Sequence, residues 1–223
     1  MKNPNRIALL AGATGLIGSH CLQLLLDDEL YSRVVVLARK ELPVKHPKLV
    51  QHQVNFDKLD EYASLLKADD VFCCLGTTIK KAGSQAEFRK VDFHYPVEIA
   101  RIAQANGAKQ FLLVTAMGAD KSSLIFYNRV KGEVEDAVKK LGYKTIHIFR
   151  PSLLLGERKE SRAGENIGKI LFGIITPLFM GPLKKYKAIE GKVVAAAMVK
   201  CAKEDKQGAH VHESDAIQKE GEI

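Results

Sequence analysis

Tyr127 and Lys131 are the two residues of this chain whose types and spacing best fit proton-transfer chemistry. Residues four apart lie on one face of an α-helix, so both side chains can reach the same ligand. A free tyrosine titrates near pH ~10, and a neighbouring ammonium favours its phenolate form. The pair therefore predicts a tyrosine that exchanges a proton with a hydroxyl or carbonyl group, while the lysine contacts a cofactor ribose.

A second pattern, three glycines at three-residue intervals, follows an apolar run at residues 7–11. Gly12 would permit a tight turn, Gly15 would let the backbone approach a pyrophosphate, and Gly18 would let a new helix pack closely on the strand. That helix would point its free N–H groups at the phosphates. The pattern predicts a dinucleotide site, with candidate ligands Gly12, Thr14, Gly15, Leu16, Ile17 and Gly18. The alternative is a turn that binds nothing.

Two further loops carry residues suited to the same ligand. Arg39 and Lys40 follow the second predicted strand, about twenty residues beyond Gly18, where NAD-preferring folds usually place an acid on the ribose hydroxyl. Arginine there suits a 2′-phosphate and favours NADP over NAD; the alternative is an ordinary exposed loop cation. After the fourth predicted strand, Gly76 would let the backbone approach the cofactor and Thr77 could hydrogen-bond to it. The candidate ligands in that loop are Leu75, Gly76 and Thr77.

Alternating strands and helices must position these residues. The hydrophobic pattern predicts strands at residues 7–11, 33–38, 49–54, 70–75, 110–115 and 144–149, with helices at 16–26 and 86–106 among those between them. Such alternation predicts an α/β fold of the Rossmann type, a doubly wound parallel sheet with helices on both faces. Ligands should gather at the carboxyl ends of its strands, and Tyr127 with Lys131 follows one of them.

Composition bounds the remaining possibilities. With 223 residues, 46% hydrophobic and 27% charged, the chain fits one domain over residues 1–223. The net charge of +8 is spread along the chain without a nucleic-acid motif, so no nucleic-acid partner is predicted. The four cysteines and seven histidines lack metal-site spacing, so no metal is predicted and the cysteines are expected to be reduced core residues. No apolar leader precedes the first strand, which predicts a cytoplasmic protein.

In combination, these motifs resemble the short-chain dehydrogenases/reductases of the extended or atypical type. The glycine pattern, Tyr127 with Lys131, and Arg150-Pro151-Ser152 carry the resemblance, which covers nearly the whole chain. Residues 118–123 and 150–165 narrow it to the branch of the Tat-interacting oxidoreductases and their bacterial relatives.

The resemblance implies NADP(H) binding, with Tyr127 as proton donor or acceptor and Lys131 as its activator and ribose ligand. It also implies that residues 151–154 lie beside the nicotinamide, which adds Pro151, Leu153 and Leu154 to the candidate ligands. One position departs from the family pattern. The serine that orients the substrate is expected just after the fifth strand, where this chain has Thr115-Ala116-Met117. Either Thr115 substitutes for it or the role is absent.

Residues 156–187 combine a charged loop with a broken apolar stretch, too short to span a bilayer. The resemblance implies a small capping region over the substrate. The alternatives are a helix packed on the core or at a dimer interface, and a membrane-surface segment. Residues 189–202 predict a helix and 209–213 a last strand, and the polar tail beyond Ser214 is expected to fray.

The first functional hypothesis is an NADP(H)-dependent oxidoreductase acting on a small carbonyl compound or alcohol. An apolar cap over the substrate would favour a lipophilic compound. The second is an NADP(H)-binding, redox-sensing regulatory protein with little catalysis, suggested by Thr115-Ala116. The third is an enzyme similar to nucleotide-sugar epimerases or dehydratases, for which the chain is short. A monomer or homodimer is expected.

Overall fold

The computed structural model describes residues 5–156, 187–204 and 206–222. Strands and helices alternate through most of this part of the chain. The strands are β1 (Arg6–Ala11), β2 (Tyr31–Ala38), β3 (Leu49–Gln53), β4 (Asp70–Cys73), β5 (Gln110–Val114), β6 (Thr145–Arg150), β7 (Leu154–Leu155), β8 (Ile189–Glu190) and β9 (Gly208–Glu213). The helices are α1 (Leu16–Asp27), α2 (Ile79–Ala82), α3 (Gln85–Arg89), α4 (Tyr95–Ala105), α5 (Phe126–Lys139), α6 (Gly191–Ala202) and α7 (Ser214–Gly221), with a 3-10 segment at Phe56–Leu65. The predicted cap therefore lies almost wholly outside the described residues.

The main sheet has seven parallel strands in the order β3-β2-β1-β4-β5-β6-β9. Strand β1 is central: Ala8 pairs with Val34 of β2 on one side and with Asp70 of β4 on the other. The chain winds outward from β1 in one direction and then in the other. This is the predicted doubly wound Rossmann fold, and its strand order reverses between β1 and β4, where such folds bind their ligands.

Two apolar layers enclose the sheet, because successive strand residues point to opposite faces. On one face, Leu10 and Phe72 pack with α1, α6 and α7. On the other, Leu9 and Val71 pack with α4, α5 and the 3-10 segment. The inner strands such as β4 and β5 are buried on both faces, which explains why they appear in the sequence as continuous apolar runs. The seven strands of the main sheet agree with the predicted ones to within about two residues, whereas the short strands β7 and β8 were not predicted.

The predicted helix at residues 86–106 is instead three consecutive segments. Helix α3 is followed by a π-helix at Lys90–His94, and α4 then begins at Tyr95. The amide of Tyr95 donates to the carbonyl of Lys90, five residues earlier. Pro96 has no N–H to donate to the carbonyl of Asp92, so the wider turn forfeits no helical hydrogen bond at that position. The single-helix prediction was wrong in this respect.

The prediction of a frayed tail was also wrong. Residues 214–221 form α7, in which Ile217 is fully buried. Gly221, one turn later, lies so close to α6 that a methyl group there would overlap the carbonyl oxygen of Val193. Ile217 is the one large apolar side chain in this short helix. The helix therefore shows no apolar face in the sequence, and its polar composition led to the prediction of fraying.

Candidate functional site

The glycine turn lies at the point where the strand order reverses. Gly12 has φ +90°, and a methyl group there would come within 2.6 Å of the Cys74 carbonyl carbon, at the end of β4. The amide of Gly15 donates to the carbonyl of Gly12 at 2.9 Å, which closes the turn. A methyl group at Gly18 would overlap that same carbonyl oxygen, so α1 can approach β1 only with glycine there. Gly12 and Gly18 thus have the conformational roles expected of them.

The start of α1 suits an anionic ligand. Gly15 precedes the helix, no side chain caps its first amides, and the first turn contains no acidic residue. Uncapped N–H groups and the positive end of the helix dipole remain available to a phosphate group. Thr14 and Gly15 are exposed beside them, whereas Leu16 is half-buried and Ile17 is buried. The residues present therefore fit a dinucleotide pyrophosphate.

The loop after β4 lies over the predicted lysine. Gly76 is exposed, and a methyl group there would be 3.8 Å from Nζ of Lys131 and 3.5 Å from Oδ1 of Asp92. The amide of Thr77 donates to the other oxygen of Asp92 at 2.9 Å. Half-buried Leu75 packs against the apolar layer below. The structure thus brings the 75–77 loop and Lys131 together.

Asp92 is a site residue that the sequence interpretation missed. Its Oδ1 lies 2.7 Å from Nζ of Lys131, and the two side chains are 0% and 6% exposed. Burial disfavours a charged lysine, but the negative charge of Asp92 and the electrostatic interaction with Tyr127 outweigh it, so the pKa of Lys131 is raised above its ordinary value. The signal was an acid four residues after Phe88, on a helix face that is otherwise apolar.

Helix α5 positions Tyr127 one turn before Lys131. The ring of Tyr127 is half-buried against Phe88, with ring centroids 5.5 Å apart. Further along the helix, a methyl group at Gly132 would overlap the backbone of Asp120 and Lys121, so α5 packs tightly against the loop that follows β5. This packing fixes the helix, and with it the tyrosine, at the carboxyl end of the sheet.

Thr115 is not brought into the same group. Its buried hydroxyl donates to Oε1 of Glu135 at 2.8 Å, one turn of α5 beyond Lys131. Glu135 also accepts two hydrogen bonds from Arg150, at 2.9 and 2.6 Å, and Arg150 reaches Glu213 of β9. This network joins β5, β6 and β9 to α5. A substrate-orienting role for Thr115 stays a prediction, and its hydroxyl already has a strong acceptor.

The remaining candidate ligands flank these groups. Arg39 and Lys40 are exposed just after β2, and the positive charge of Arg39 reaches Tyr95 of α4. Burial and a hydrogen bond to Asp57 nevertheless raise the pKa of Tyr95 to about 12. After β6, buried Pro151 accepts a hydrogen bond from the amide of Met117 at 3.0 Å. Leu153 is 51% exposed, and Leu154 pairs with Ile189.

A family model described as NAD(P)H-binding matches residues 12–155. The chain belongs to this NAD(P)H-binding family. Protein HTATIP2 of Rattus norvegicus is 42% identical over 176 residues, which cover 77% of this chain and 72% of the rat protein. The mitochondrial protein fmp52 of Aspergillus clavatus is 36% identical over 197 residues, covering 85% of this chain and 84% of the fungal one. Within the family, the chain is an atypical short-chain dehydrogenase/reductase that resembles HTATIP2.

Solved structures show that this NAD(P)H-binding protein shares its fold with several enzymes. A UDP-N-acetylglucosamine 4-epimerase from Methanobrevibacter ruminantium M1 aligns with a TM-score of 0.70 at 16% identity, over 96% of this chain and 77% of that one. The oxidoreductase ylbE from Lactococcus lactis aligns with a TM-score of 0.56 at 20% identity, over 71% and 73%. None of the helices described in this protein is long and apolar enough to cross a membrane.

Proposed function

We propose that the protein is an NADP(H)-dependent oxidoreductase that interconverts a small, lipophilic carbonyl compound and its alcohol. The observation that carries this proposal is the buried Asp92–Lys131 ion pair under Gly76, beside the point where the strand order reverses. A lysine that keeps its charge next to a tyrosine on the same helix face favours proton exchange by that tyrosine.

When bound, the cofactor would supply hydride to the carbonyl carbon or accept it from the alcohol. In the reducing direction, Tyr127 donates its phenolic proton to the carbonyl oxygen, and Lys131 stabilises the phenolate that remains. Asp92 holds the ammonium of Lys131 in place and keeps it charged. Exposed apolar side chains support a lipophilic substrate: Leu124 and Ile125, just before Tyr127 in the chain, are 98% and 62% exposed, and Leu153 is 51% exposed.

The preference for NADP(H) rests on Arg39. It is exposed at the carboxyl end of β2, where its guanidinium can pair with a 2′-phosphate in bidentate fashion. Isothermal titration should therefore show that Arg39→Ala weakens NADPH binding and leaves NADH binding unchanged. Arg33→Ala, which removes an exposed arginine from within β2, is the matched control. Equal loss of both cofactors would contradict the proposal, and so would a wild-type preference for NADH.

Turnover tests the chemistry separately from binding. Tyr127→Phe should bind NADPH as the wild type does and reduce a panel of aromatic and aliphatic carbonyl compounds about 10²–10⁴-fold more slowly. Tyr62→Phe, at another half-buried tyrosine, should retain wild-type rates. If Tyr127→Phe keeps full turnover of a good substrate, the assigned mechanism fails.

One observation favours the alternative of a regulatory NADP(H)-binding protein. The hydroxyl of Thr115 is directed to Glu135, so the usual substrate-orienting group has no clear counterpart among the described residues. Such a protein would bind NADPH tightly and turn over none of the panel, and its partner affinity would change with cofactor occupancy. The cytoplasmic location and the monomer or homodimer state stay predictions, and the fungal relative named above is described as mitochondrial.

A further inference from the structure

A buried cluster of two histidines and a cysteine lies at the opposite edge of the sheet from β3. His147 of β6, Cys201 of α6 and His212 of β9 each offer a ligand atom within 4.8 Å of the others. They are 0%, 0% and 7% exposed. Nδ1 of His147 and Nε2 of His212 face each other at 3.0 Å. Three residues far apart in sequence thus converge on one point, which explains why their spacing did not indicate a site.

Glu220 of α7 fixes the orientation of one histidine. Its carboxylate lies 3.0 Å from Nδ1 of His212, on the side of the ring away from His147. A carboxylate that holds one imidazole nitrogen leaves the other available as a lone-pair donor, as in many carboxylate–histidine–metal arrangements. The same carboxylate accepts a hydrogen bond from the Cys201 thiol at 3.3 Å. Glu220 therefore orients two of the three ligand residues.

The second histidine keeps one ring nitrogen without a hydrogen bond in the described part of the chain. Nε2 of His147 is buried and has no hydrogen-bond partner among the described residues. Without metal, the 3.0 Å contact places the proton of His147 on Nδ1, which faces the lone pair of His212; transfer of that proton to Nε2 leaves Nδ1 free to bind a cation.

We propose that His147, Cys201 and His212 bind a zinc-class divalent cation, with Glu220 as the residue that positions His212. Nitrogen ligands about 2.0–2.1 Å from tetrahedral zinc stand about 3.3 Å apart, close to the 3.0 Å observed between the facing nitrogens. Two imidazoles and one thiolate are ligands that zinc favours over magnesium or calcium. On binding, the Cys201 thiol releases its proton to solvent and its sulfur bonds the metal.

The metal would add a further link between elements that are already joined by strand pairing and side-chain hydrogen bonds. Its ligands come from β6, α6 and β9, and Glu220 adds α7. These elements include the last helices and the edge strand of the described fold. His147 lies on β6 four residues before Pro151, and the cluster is separate from the residues assigned to proton transfer. The proposed role is therefore structural.

The competing interpretation is a hydrogen-bonded chain without metal. In that case Glu220 accepts from His212, and one histidine donates to the other across the 3.0 Å contact. This arrangement satisfies every group except Nε2 of His147. It predicts no stoichiometric metal uptake, and the two interpretations can be separated directly.

The test is metal binding by the full-length protein after treatment with a chelator. Zinc should bind one equivalent per chain and raise the melting temperature, since it binds the native state alone. Cobalt in place of zinc should give a thiolate-to-cobalt charge-transfer absorption. Cys201→Ser should abolish that absorption, and Glu220→Gln should weaken zinc binding about 10–100-fold.

His210→Gln is the matched control, because His210 stacks on His147 at 5.3 Å between ring centroids but is not one of the three ligands. It should retain the absorption and the affinity. If Cys201→Ser does not fold, the wild-type cobalt spectrum and stoichiometry still decide the question. Absence of one-equivalent binding by the wild type, or a charge-transfer band that survives in Cys201→Ser, would overturn the proposal.

Discussion

Neutralising Asp92 should leave a buried ammonium without its partner. Asp92→Asn keeps the side-chain size and can still accept the hydrogen bond from the Thr77 amide, but it removes the negative charge 2.7 Å from Nζ of Lys131. Because both side chains are almost fully buried, water cannot replace the lost charge. Removing one member of such a pair costs about 3–5 kcal/mol of the free energy of unfolding.

Urea unfolding at neutral pH measures this loss. Asp136→Asn is the matched control: Asp136 is on the same helix as Lys131 and pairs with Lys121 and Lys140, but at the surface. Exposed ion pairs contribute little, so this variant should unfold close to the wild type. Lys131→Met should also destabilise the protein, because it leaves the Asp92 carboxylate buried without a counter-charge.

The double variant Asp92→Asn/Lys131→Met is the decisive measurement. It leaves no uncompensated charge. Its loss in free energy of unfolding should therefore be smaller than the sum of the losses in the two single variants, by about 0.5–3 kcal/mol. Strict additivity would show that the two side chains do not interact, and would refute the role given to Asp92.

The dependence on pH gives a second check. In the wild type, the raised pKa of Lys131 means that its contribution to stability is fully present below its ordinary pKa of 10.5 and is lost as the pH rises above it. In Asp92→Asn, burial acts on the lysine without a counter-charge. The deficit of the variant should therefore shrink as the pH approaches and passes 10.5. A deficit that does not change with pH would contradict the electrostatic explanation.

Three further predictions concern the cofactor, the glycine turn and the last helix. Arg39→Glu should weaken NADPH binding more than Arg39→Ala by isothermal titration, because it adds repulsion of the 2′-phosphate; an equal effect would argue against a direct contact. Gly12→Ala and Gly107→Ala both place a methyl group at positive φ, but only the first meets backbone atoms, at 2.6 Å. In urea unfolding, Gly107→Ala should lower the free energy of unfolding by about 1–2 kcal/mol. Gly12→Ala should lower it more and abolish NADPH binding. Equal losses of stability would contradict the argument from close approach of the backbone. Ile217→Ala should destabilise by about 2–5 kcal/mol in the same assay, since Ile217 is fully buried, and a neutral result would show that α7 is dispensable.

The fold was predictable because its signals are local. A buried parallel strand is a continuous apolar run, and two requirements of the turn after β1 are local: the positive φ of Gly12 and the close contact of Gly18 with the Gly12 carbonyl. The spacing of Tyr127 and Lys131 likewise follows from helix geometry alone. Each of these patterns can be recognised without knowing which segments meet in space.

The missed features depend on contacts between distant segments. Asp92 becomes part of the site only because the π-helix and α5 pack together, and Thr115 is diverted to Glu135 by a network that includes Arg150. The frayed-tail prediction failed because Ile217 needs α6 to be buried. Periodicity within one segment contains no information about such partners.

Because of the π-helix at Lys90–His94, the position of Asp92 depends on the number of residues in this segment. Removing one residue from a helix rotates the segment before the deletion against the segment after it by about 100°. A deletion at Phe93 would therefore shift Asp92 relative to α4 without changing any residue near the cofactor. Lys131 would lose its partner through a change of register alone. In relatives of this protein, a gap or an insertion within residues 90–94 should accordingly accompany a different partner for the lysine.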